Sequence, residues 1–166
     1  GSPPTPHLPA SACPSLVGHG DGRYALTMIP IGIDTNVFVA ALRSAGGASR
    51  AVLMGALVGR YEPLFGNALW LEYQDLLNRP VWGDQTTATE RLQVLAALAS
   101  RARWVRIYYA WRPHLPDEGD NHLIELAIAG GATAIVTHNV GDLRGGELHL
   151  ARLGILTPTQ LLQEYP

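Results

Sequence analysis

Residues 120–137, DNHLIELAIAGGATAIVT, decide the fold because a helix, a glycine pair and a buried strand follow one another directly. Apolar residues three and four positions apart predict a helix over 120–131 that ends at the two glycines. The apolar run 132–137 is typical of a strand buried on both faces, as strands are in a parallel sheet. The stretch therefore indicates an α/β protein.

The same alternation extends along the chain on both sides of this stretch. Short β-branched or apolar runs predict strands, and amphipathic segments between them predict helices. Predicted strands cover 28–33, 61–66, 104–109, 132–137 and 153–157. Predicted helices cover 49–59, with Ser49 as N-cap and Gly59 as C-cap, and also 67–78, 87–102, 120–131 and 158–165. This order predicts a central parallel sheet covered by helices.

Length and composition indicate one compact domain. The chain has 166 residues, 47% of them hydrophobic and only 16% charged, and no apolar run approaches the length that crosses a bilayer. We therefore expect no membrane span. Residues 1–27 contain five prolines and lack a helical or strand period, so we expect a tail there and the folded domain over 28–166. Gly1 and Ser2 are typical of the remnant of an expression tag.

Charge and cysteine content exclude several functions. A net charge of -2 means that any nucleic-acid binding must use a local basic patch. Cys13 is the only cysteine, which excludes an internal disulfide or a cysteine zinc site and fits a cytoplasmic location. All 12 basic residues are arginine, so the chain lacks the lysine that a phosphate-binding P-loop or Schiff-base chemistry requires.

Three acids are expected at the carboxyl ends of the strands, where parallel α/β sheets bind their ligands. Asp34 follows the first strand, Asp142 comes just after the strand 132–137, and Asp120 begins the helix that precedes this strand. Each has a simpler alternative role, as a turn former or as an acid favoured at a helix start.

Helical periodicity separates Asp120 from the acids beside it. Asp120 lies at the head of the stripe predicted to face the core, and Asp117 is the best candidate for the N-cap. The stripe consists of Leu123, Ile124, Ala127 and Ile128. The opposite, solvent-facing side is predicted to carry Glu118, His122 and Glu125.

Glu72 is the fourth candidate, in the predicted helix 67–78. The alternative is that Glu72 and Asp75 mark only the solvent face of that helix. If Asp34, Glu72, Asp120 and Asp142 converge, each close pair repels by roughly 4 kcal/mol at about 4 Å and an effective dielectric near 20. Such a cluster requires a cation, and ligands that are all oxygen favour Mg²⁺ or Mn²⁺. A site of this kind is suited to hydrolysing a phosphodiester.

Four segments, IGIDTNVFVAAL, LEYQDLL, PDEGDNHLIELAIAGGATAIVTHNVGDLRGGEL and LGILTPTQLL, together resemble a PIN domain, specifically the VapC-like toxin ribonucleases of bacterial toxin–antitoxin pairs. The resemblance implies a three-layer α/β/α sandwich and a Mg²⁺- or Mn²⁺-dependent endoribonuclease. It also implies a cognate antitoxin as partner, and a homodimer is a further possibility. The competing hypothesis is a PIN-like module that has lost catalysis and only binds RNA or protein.

The resemblance also implies roles for individual residues. The metal-binding and catalytic acids would be Asp34, Glu72, Asp120 and Asp142, supported by Thr35, Asn36, Thr137 and Asn139. The fourth motif departs from the common TGD form, because Asn139 takes the place of the acid and the acid follows at Asp142. A receiver-like or dehalogenase-like phosphotransfer domain, which also has a strand-end Asp, is disfavoured because the chain has no lysine.

Arginines near the predicted site are candidates for holding RNA, with ordinary surface solvation as the alternative: Arg43, Arg50, Arg79 and Arg144. His138 is expected to be a solvent-exposed loop residue and not a base. The four tryptophans are expected in the core or an interface: Trp70, Trp82, Trp104 and Trp111.

Overall fold

In the described part of the chain, five strands form one central parallel sheet. The structure is a computed structural model that describes Gly1 and residues 28–107, 118–144 and 153–166, with side chains except at 118–121 and 144. The strands are β1 (Ile29–Ile33), β2 (Tyr61–Phe65), β3 (Arg103–Trp104), β4 (Ala134–Val136) and β5 (Gly154–Leu156). Their order across the sheet is β3-β2-β1-β4-β5.

Helices cover this sheet and complete the α/β/α architecture expected from the sequence. They are α1 (Thr35–Arg43), α2 (Ala48–Leu57), α3 (Asn67–Leu76), α4 (Ala88–Arg101), α5 (Glu118–Gly130), α6 (Val140–Arg144) and α7 (Pro158–Glu164). Helices α2, α4 and α7 pack together and on the sheet, whereas α5 packs on β1, β2 and β4 with α3 beside it. The predicted fold class is thereby confirmed.

The strand order places a topological switch point between β1 and β4. The chain goes from β1 outward through β2 and β3, and then crosses back to place β4 on the other side of β1. Ile31 of β1 is paired with Pro63 of β2 on one side and with Ala134 of β4 on the other. Chain segments that leave such neighbouring strands in opposite directions open a crevice at their carboxyl ends.

The middle of α5 packs closely on the sheet. A Cβ at Gly32 would lie 3.3 Å from Cδ1 of Leu123, so α5 approaches β1 more closely than most side chains would allow. Leu123, Ile124 and Ala127 are buried against the sheet as predicted. Ile128, predicted on the same stripe, is instead 39% exposed, because the helix turns its outer edge towards solvent there.

Helices α4 and α7 begin at capping boxes that the sequence encodes locally. Thr87 and Glu90 cap α4 reciprocally, and Thr157 and Gln160 do the same for α7, in which Pro158 occupies the first turn. Reciprocal caps of this kind satisfy backbone N–H groups that have no partner within the helix.

Some local predictions are wrong. Ser49 is not the N-cap of α2, because the helix begins after Gly47 and the Ser49 side chain is buried. The strand predicted over 104–109 is, within the described part, the two-residue β3, and beyond it Val105 makes one further hydrogen bond, to the carbonyl oxygen of Phe65 at 2.8 Å. Helices α1 and α6 are not among the predicted elements. The predictions for residues 2–27 and for Asp117 fall outside the described residues.

Within the described segments, no single helix is long and apolar enough to span a membrane. Helices α1 and α2 meet that test only when taken together, and they are bent by 106° relative to each other.

Candidate active site

The candidate site lies where β1 and β4 end side by side. Asp34 directly follows β1, and its backbone N–H donates to the carbonyl oxygen of Val136 at 3.0 Å. Thr137 directly follows β4, is fully buried, and donates its backbone N–H to the carbonyl oxygen of Leu156 at 2.9 Å. Both residues therefore continue the sheet by one hydrogen bond, which fixes their backbones at the switch point.

Hydrogen bonds hold one oxygen of the Asp34 carboxylate. The Thr137 hydroxyl donates to Asp34 Oδ2 at 2.8 Å, and Asn36 Nδ2 donates to the same oxygen at 3.2 Å. The Thr137 hydroxyl in turn accepts from Asn36 Nδ2 at 3.3 Å and from the backbone N–H of Asn139 at 3.0 Å. Asn36 Oδ1 accepts from the backbone N–H of His138 at 3.2 Å. Oδ2 is thus held by two side chains, whereas the side-chain donor beside Oδ1 is the Thr35 hydroxyl, at the longer distance of 3.5 Å.

Glu72, on α3, lies next to Asp34. The Thr35 hydroxyl donates to Glu72 Oε1 at 3.0 Å and is 3.5 Å from Asp34 Oδ1, so one hydroxyl lies between the two carboxylates. Tyr73 anchors α3 here, since its buried hydroxyl donates to the carbonyl oxygen of Ile33 at 2.8 Å. The alternative that Glu72 only marks a solvent face is therefore wrong, whereas Asp75 is indeed exposed.

The two carboxylates experience opposite electrostatic environments. Burial raises the pKa of Asp34; the hydrogen bond from Thr137 offsets this only in part, and the nearby charge of Glu72 raises the pKa further. Burial also acts to raise the pKa of Glu72, but the hydrogen bond and charge of His122 outweigh burial and lower it. The site thus keeps Glu72 ionised and makes a second negative charge on Asp34 costly unless a cation is nearby.

His122 is the site residue that the sequence analysis missed. Its Nε2 donates to Glu72 Oε2 at 2.6 Å, and both side chains are partly buried. The prediction that His122 faces solvent is therefore wrong, because α3 packs beside α5 and Glu72 of α3 contacts that side of the helix. The only signal in the sequence was its position two residues after Asp120.

His138 lies at the edge of the same site. It is exposed, as expected, but its Nε2 is 2.8 Å from the hydroxyl of Ser49 on α2. This contact gives the hydroxyl of the buried Ser49, which lies inside α2, a partner far along the chain.

The remaining two candidate acids, Asp120 and Asp142, have no described side-chain contact with Asp34 or Glu72. The backbone of Asp120 lies in the first turn of α5, near His122, but its side chain is outside the described part. Asp142 is exposed on α6, and its backbone N–H donates to the carbonyl oxygen of Asn139 at 3.1 Å. Among the described side chains, no three His, Cys, Asp or Glu residues are grouped as a metal site. The described acids supply oxygen atoms only, which fits a hard cation.

The arginines predicted to hold RNA are exposed where they are described. Arg50 donates to the carbonyl oxygen of Ser44 at 3.4 Å, and Arg79 pairs with Asp75 at 2.5 Å. Arg43 is also exposed, and the side chain of Arg144 lies outside the described part.

The tryptophans follow the prediction only in part. Trp82 is buried and Trp70 partly buried. Trp104 is 49% exposed while stacking on Phe65, and Trp111 lies outside the described residues.

The fold and these acids define an α/β/α protein with an acidic site at the switch point of a parallel sheet. A family model described as the PIN domain matches residues 31–141, so the chain belongs to the PIN domain family, whose members are generally nucleases. The resemblance to a PIN domain seen in the sequence is thereby confirmed.

The fold is also similar to a solved structure. A chain in the crystal structure of VapBC2 from Rickettsia felis bound to a DNA fragment from their promoter matches with a TM-score of 0.52 and 14% identity. The match covers 76% of this chain and 97% of that chain. At this identity the likeness is one of fold. No curated protein matches this chain significantly by sequence.

Proposed function

We propose that this PIN domain is a Mg²⁺- or Mn²⁺-dependent endoribonuclease. The observation that carries the proposal is the pair of carboxylates on Asp34 and Glu72, which lie on either side of the Thr35 hydroxyl at the switch point of the sheet. Two carboxylates this close repel, and the pKa of Asp34 is raised first by burial and further by the charge of Glu72. A divalent cation relieves both costs.

The proposed ligands of the cation are the four acids Asp34, Glu72, Asp120 and Asp142. A bound ion would supply a hydroxide from water at neutral pH and neutralise charge on the phosphate. The chain's own residues prepare the site for it. Thr137 and Asn36 hold Asp34 Oδ2, and Oδ1, beside which the Thr35 hydroxyl lies at a longer distance, is the oxygen we assign to the cation.

The proposed substrate is RNA, held by exposed arginines near the site. Because the net charge is -2, binding must rely on local positive charge, for which Arg43 and Arg50 on α1 and α2 are the described candidates, with Arg79 and Arg144 as further ones. Binding that relies on contacts between arginines and phosphates becomes weaker as the salt concentration rises, so RNA affinity should fall steeply with ionic strength.

The proposed biological role is the toxin of a toxin–antitoxin pair, acting in the cytoplasm. The motif order of the chain supports it, as does the fold likeness to a chain of VapBC2, a complex whose structure was solved on a fragment of promoter DNA. The proposed partner is a cognate antitoxin protein, and self-association as a homodimer is part of the same proposal.

Cleavage of an end-labelled structured RNA tests the proposed activity. The wild type should cut with Mn²⁺ or Mg²⁺ and stop when a chelator is added, and Asp34→Asn and Asp120→Asn should each abolish cutting. Glu164→Gln is the matched control, because α7 ends near the starting ends of the strands, away from the site. There, the hydroxyl of Tyr61, the first residue of β2, donates to the carbonyl oxygen of Tyr165. Cutting that persists with chelator would overturn the mechanism.

Mn²⁺ binding, measured apart from cleavage, separates the nuclease from the inactive alternative. A protein that binds no Mn²⁺ and cuts no RNA would be the binding module and not the enzyme.

A further inference from the structure

His122 makes a short contact that links two helices at the site. It is the fifth residue of α5, and its Nε2 is 2.6 Å from Oε2 of Glu72 on α3. The side chains are only 22% and 35% exposed. A charge-assisted hydrogen bond that is partly shielded from water is stronger than the same bond on the surface.

The contact completes the support of the Glu72 carboxylate. Thr35 holds Oε1 from α1 at 3.0 Å, and His122 holds Oε2 from α5. A glutamate side chain that is free to rotate loses about 1.5–2 kcal/mol of rotamer entropy when it is ordered. With both oxygens held beforehand, Glu72 has already lost this freedom before any cation or substrate arrives.

His122 also connects two of the acids. It follows Asp120 by two residues on the same helical turn, so its bond to Glu72 ties the start of α5 to α3. The separation between the backbones that carry Asp120 and Glu72 therefore depends on this bond as well as on apolar packing.

We propose that His122 is a positioning residue: it holds the Glu72 carboxylate and the first turn of α5 in the arrangement that a divalent cation requires. It acts through Glu72, and its imidazole is neither a metal ligand nor a base. This inference rests on the proposed metal-dependent function.

Two variants of His122 separate positioning from other roles. His122→Leu removes the hydrogen-bond donor and puts an apolar side chain of similar size in its place. His122→Gln keeps an N–H donor, because the Gln Nε2 can take the place of the imidazole Nε2 opposite Glu72. Gln74→Ala is the control, since Gln74 is exposed on α3 two residues beyond Glu72.

The first measurement is the affinity for Mn²⁺, followed through the electron paramagnetic resonance signal of the free ion. His122→Leu should bind about tenfold or more weakly than the wild type, as expected when a residue that orients a ligand is lost. His122→Gln should stay within about threefold of the wild type, because the donor is retained. Gln74→Ala should match the wild type.

The second measurement is RNA cleavage at saturating Mn²⁺. In His122→Leu, kcat should fall by about tenfold to a hundredfold with KM for RNA unchanged, because the residue acts on the acids and not on RNA. Thermal unfolding of the metal-free variants shows whether each is folded. If His122→Leu does not fold, the affinity of His122→Gln decides the matter.

Three results are distinguishable. Wild-type Mn²⁺ affinity in a folded His122→Leu would overturn the inference, and so would a folded His122→Gln that binds as weakly as the leucine variant. A wild type that neither binds Mn²⁺ nor cleaves RNA would instead overturn the proposed function on which the inference rests.

Discussion

Asp34 and Asp142 both follow central strands of the sheet, yet they are held very differently. Asp34 comes directly after β1, is bonded through its backbone to Val136, and has one carboxylate oxygen fixed by Thr137 and Asn36. Asp142 lies on the separate short helix α6 and is exposed. The sheet fixes the position of an acid at the end of a strand, whereas the position of an acid beyond a loop depends on the conformation of that loop.

The sharpest test of this difference compares two matched substitutions in RNA cleavage. Asp34→Asn should lower the rate by a hundredfold or more, because losing a proposed metal ligand should cost several kcal/mol, and about 1.4 kcal/mol corresponds to a tenfold change in rate. Asp142→Asn should lower it by less than about tenfold, because an exposed side chain on a short helix is less firmly held in place. Equal falls in the cleavage rate of the two variants in single-turnover assays would show that both acids are equally well positioned once RNA is bound.

The next largest effect is expected for a substitution of Thr137, which should lower the stability of the protein. Thr137→Val keeps the shape but removes the hydroxyl that donates to Asp34 and accepts from Asn36 and Asn139. Leaving buried partners unsatisfied costs about 1–3 kcal/mol, which should lower Tm by roughly 2–4 °C for each kcal/mol in a protein of this size.

Thr89→Val is the matched control, because Thr89 is exposed on α4 and the exchange there alters no buried group. A Thr137→Val protein with the Tm of this control, measured by calorimetry, would show that the hydrogen bonds around Asp34 add nothing to stability.

A smaller effect, opposite in sign, is expected for Asp34 itself without metal. Because the folded protein raises the pKa of Asp34, ionisation opposes folding: this cost is absent below the unfolded pKa and grows as pH rises through the folded pKa. Asp34→Asn should therefore stabilise the metal-free protein by about 1 kcal/mol at neutral pH, and the gain should vanish in acid.

Urea unfolding in chelator across pH measures this gain. Addition of Mn²⁺ should then stabilise the wild type and leave Asp34→Asn unchanged. A variant less stable than the wild type at neutral pH would mean that the hydrogen bonds to the carboxylate outweigh its burial.

The smallest effect concerns Arg79, whose ion pair with Asp75 is on the surface. The two side chains are 58% and 61% exposed, so Arg79→Gln should change the free energy of unfolding by less than about 0.5 kcal/mol. RNA affinity is measured in parallel at two salt concentrations. A lower affinity with a shallower salt dependence would assign Arg79 to a phosphate contact, and no change would leave it as ordinary surface charge.

The sequence by itself determined the fold class, the order of most elements and the strand-end position of Asp34. These follow from local patterns: apolar periodicity, helix caps and the alternation of strands and helices, each of which acts over a few neighbouring residues. The family resemblance rested on four segments, which can also be read directly from the sequence. Helix α1 was missed although Val37, Phe38, Ala41 and Leu42 recur at helical spacing and are buried. Helix α6 was missed because five residues are too few to show a helical period.

Only the tertiary structure decided which side chains meet. The helical period placed His122 opposite the apolar stripe of α5, but it carries no information about whether another helix approaches that side, and α3 does. In the same way Ser49 meets His138 across 89 positions of sequence instead of capping its own helix. A residue's face on its helix is a local property, whereas its partner depends on how the helices pack around the sheet, and the support of Glu72 arises there.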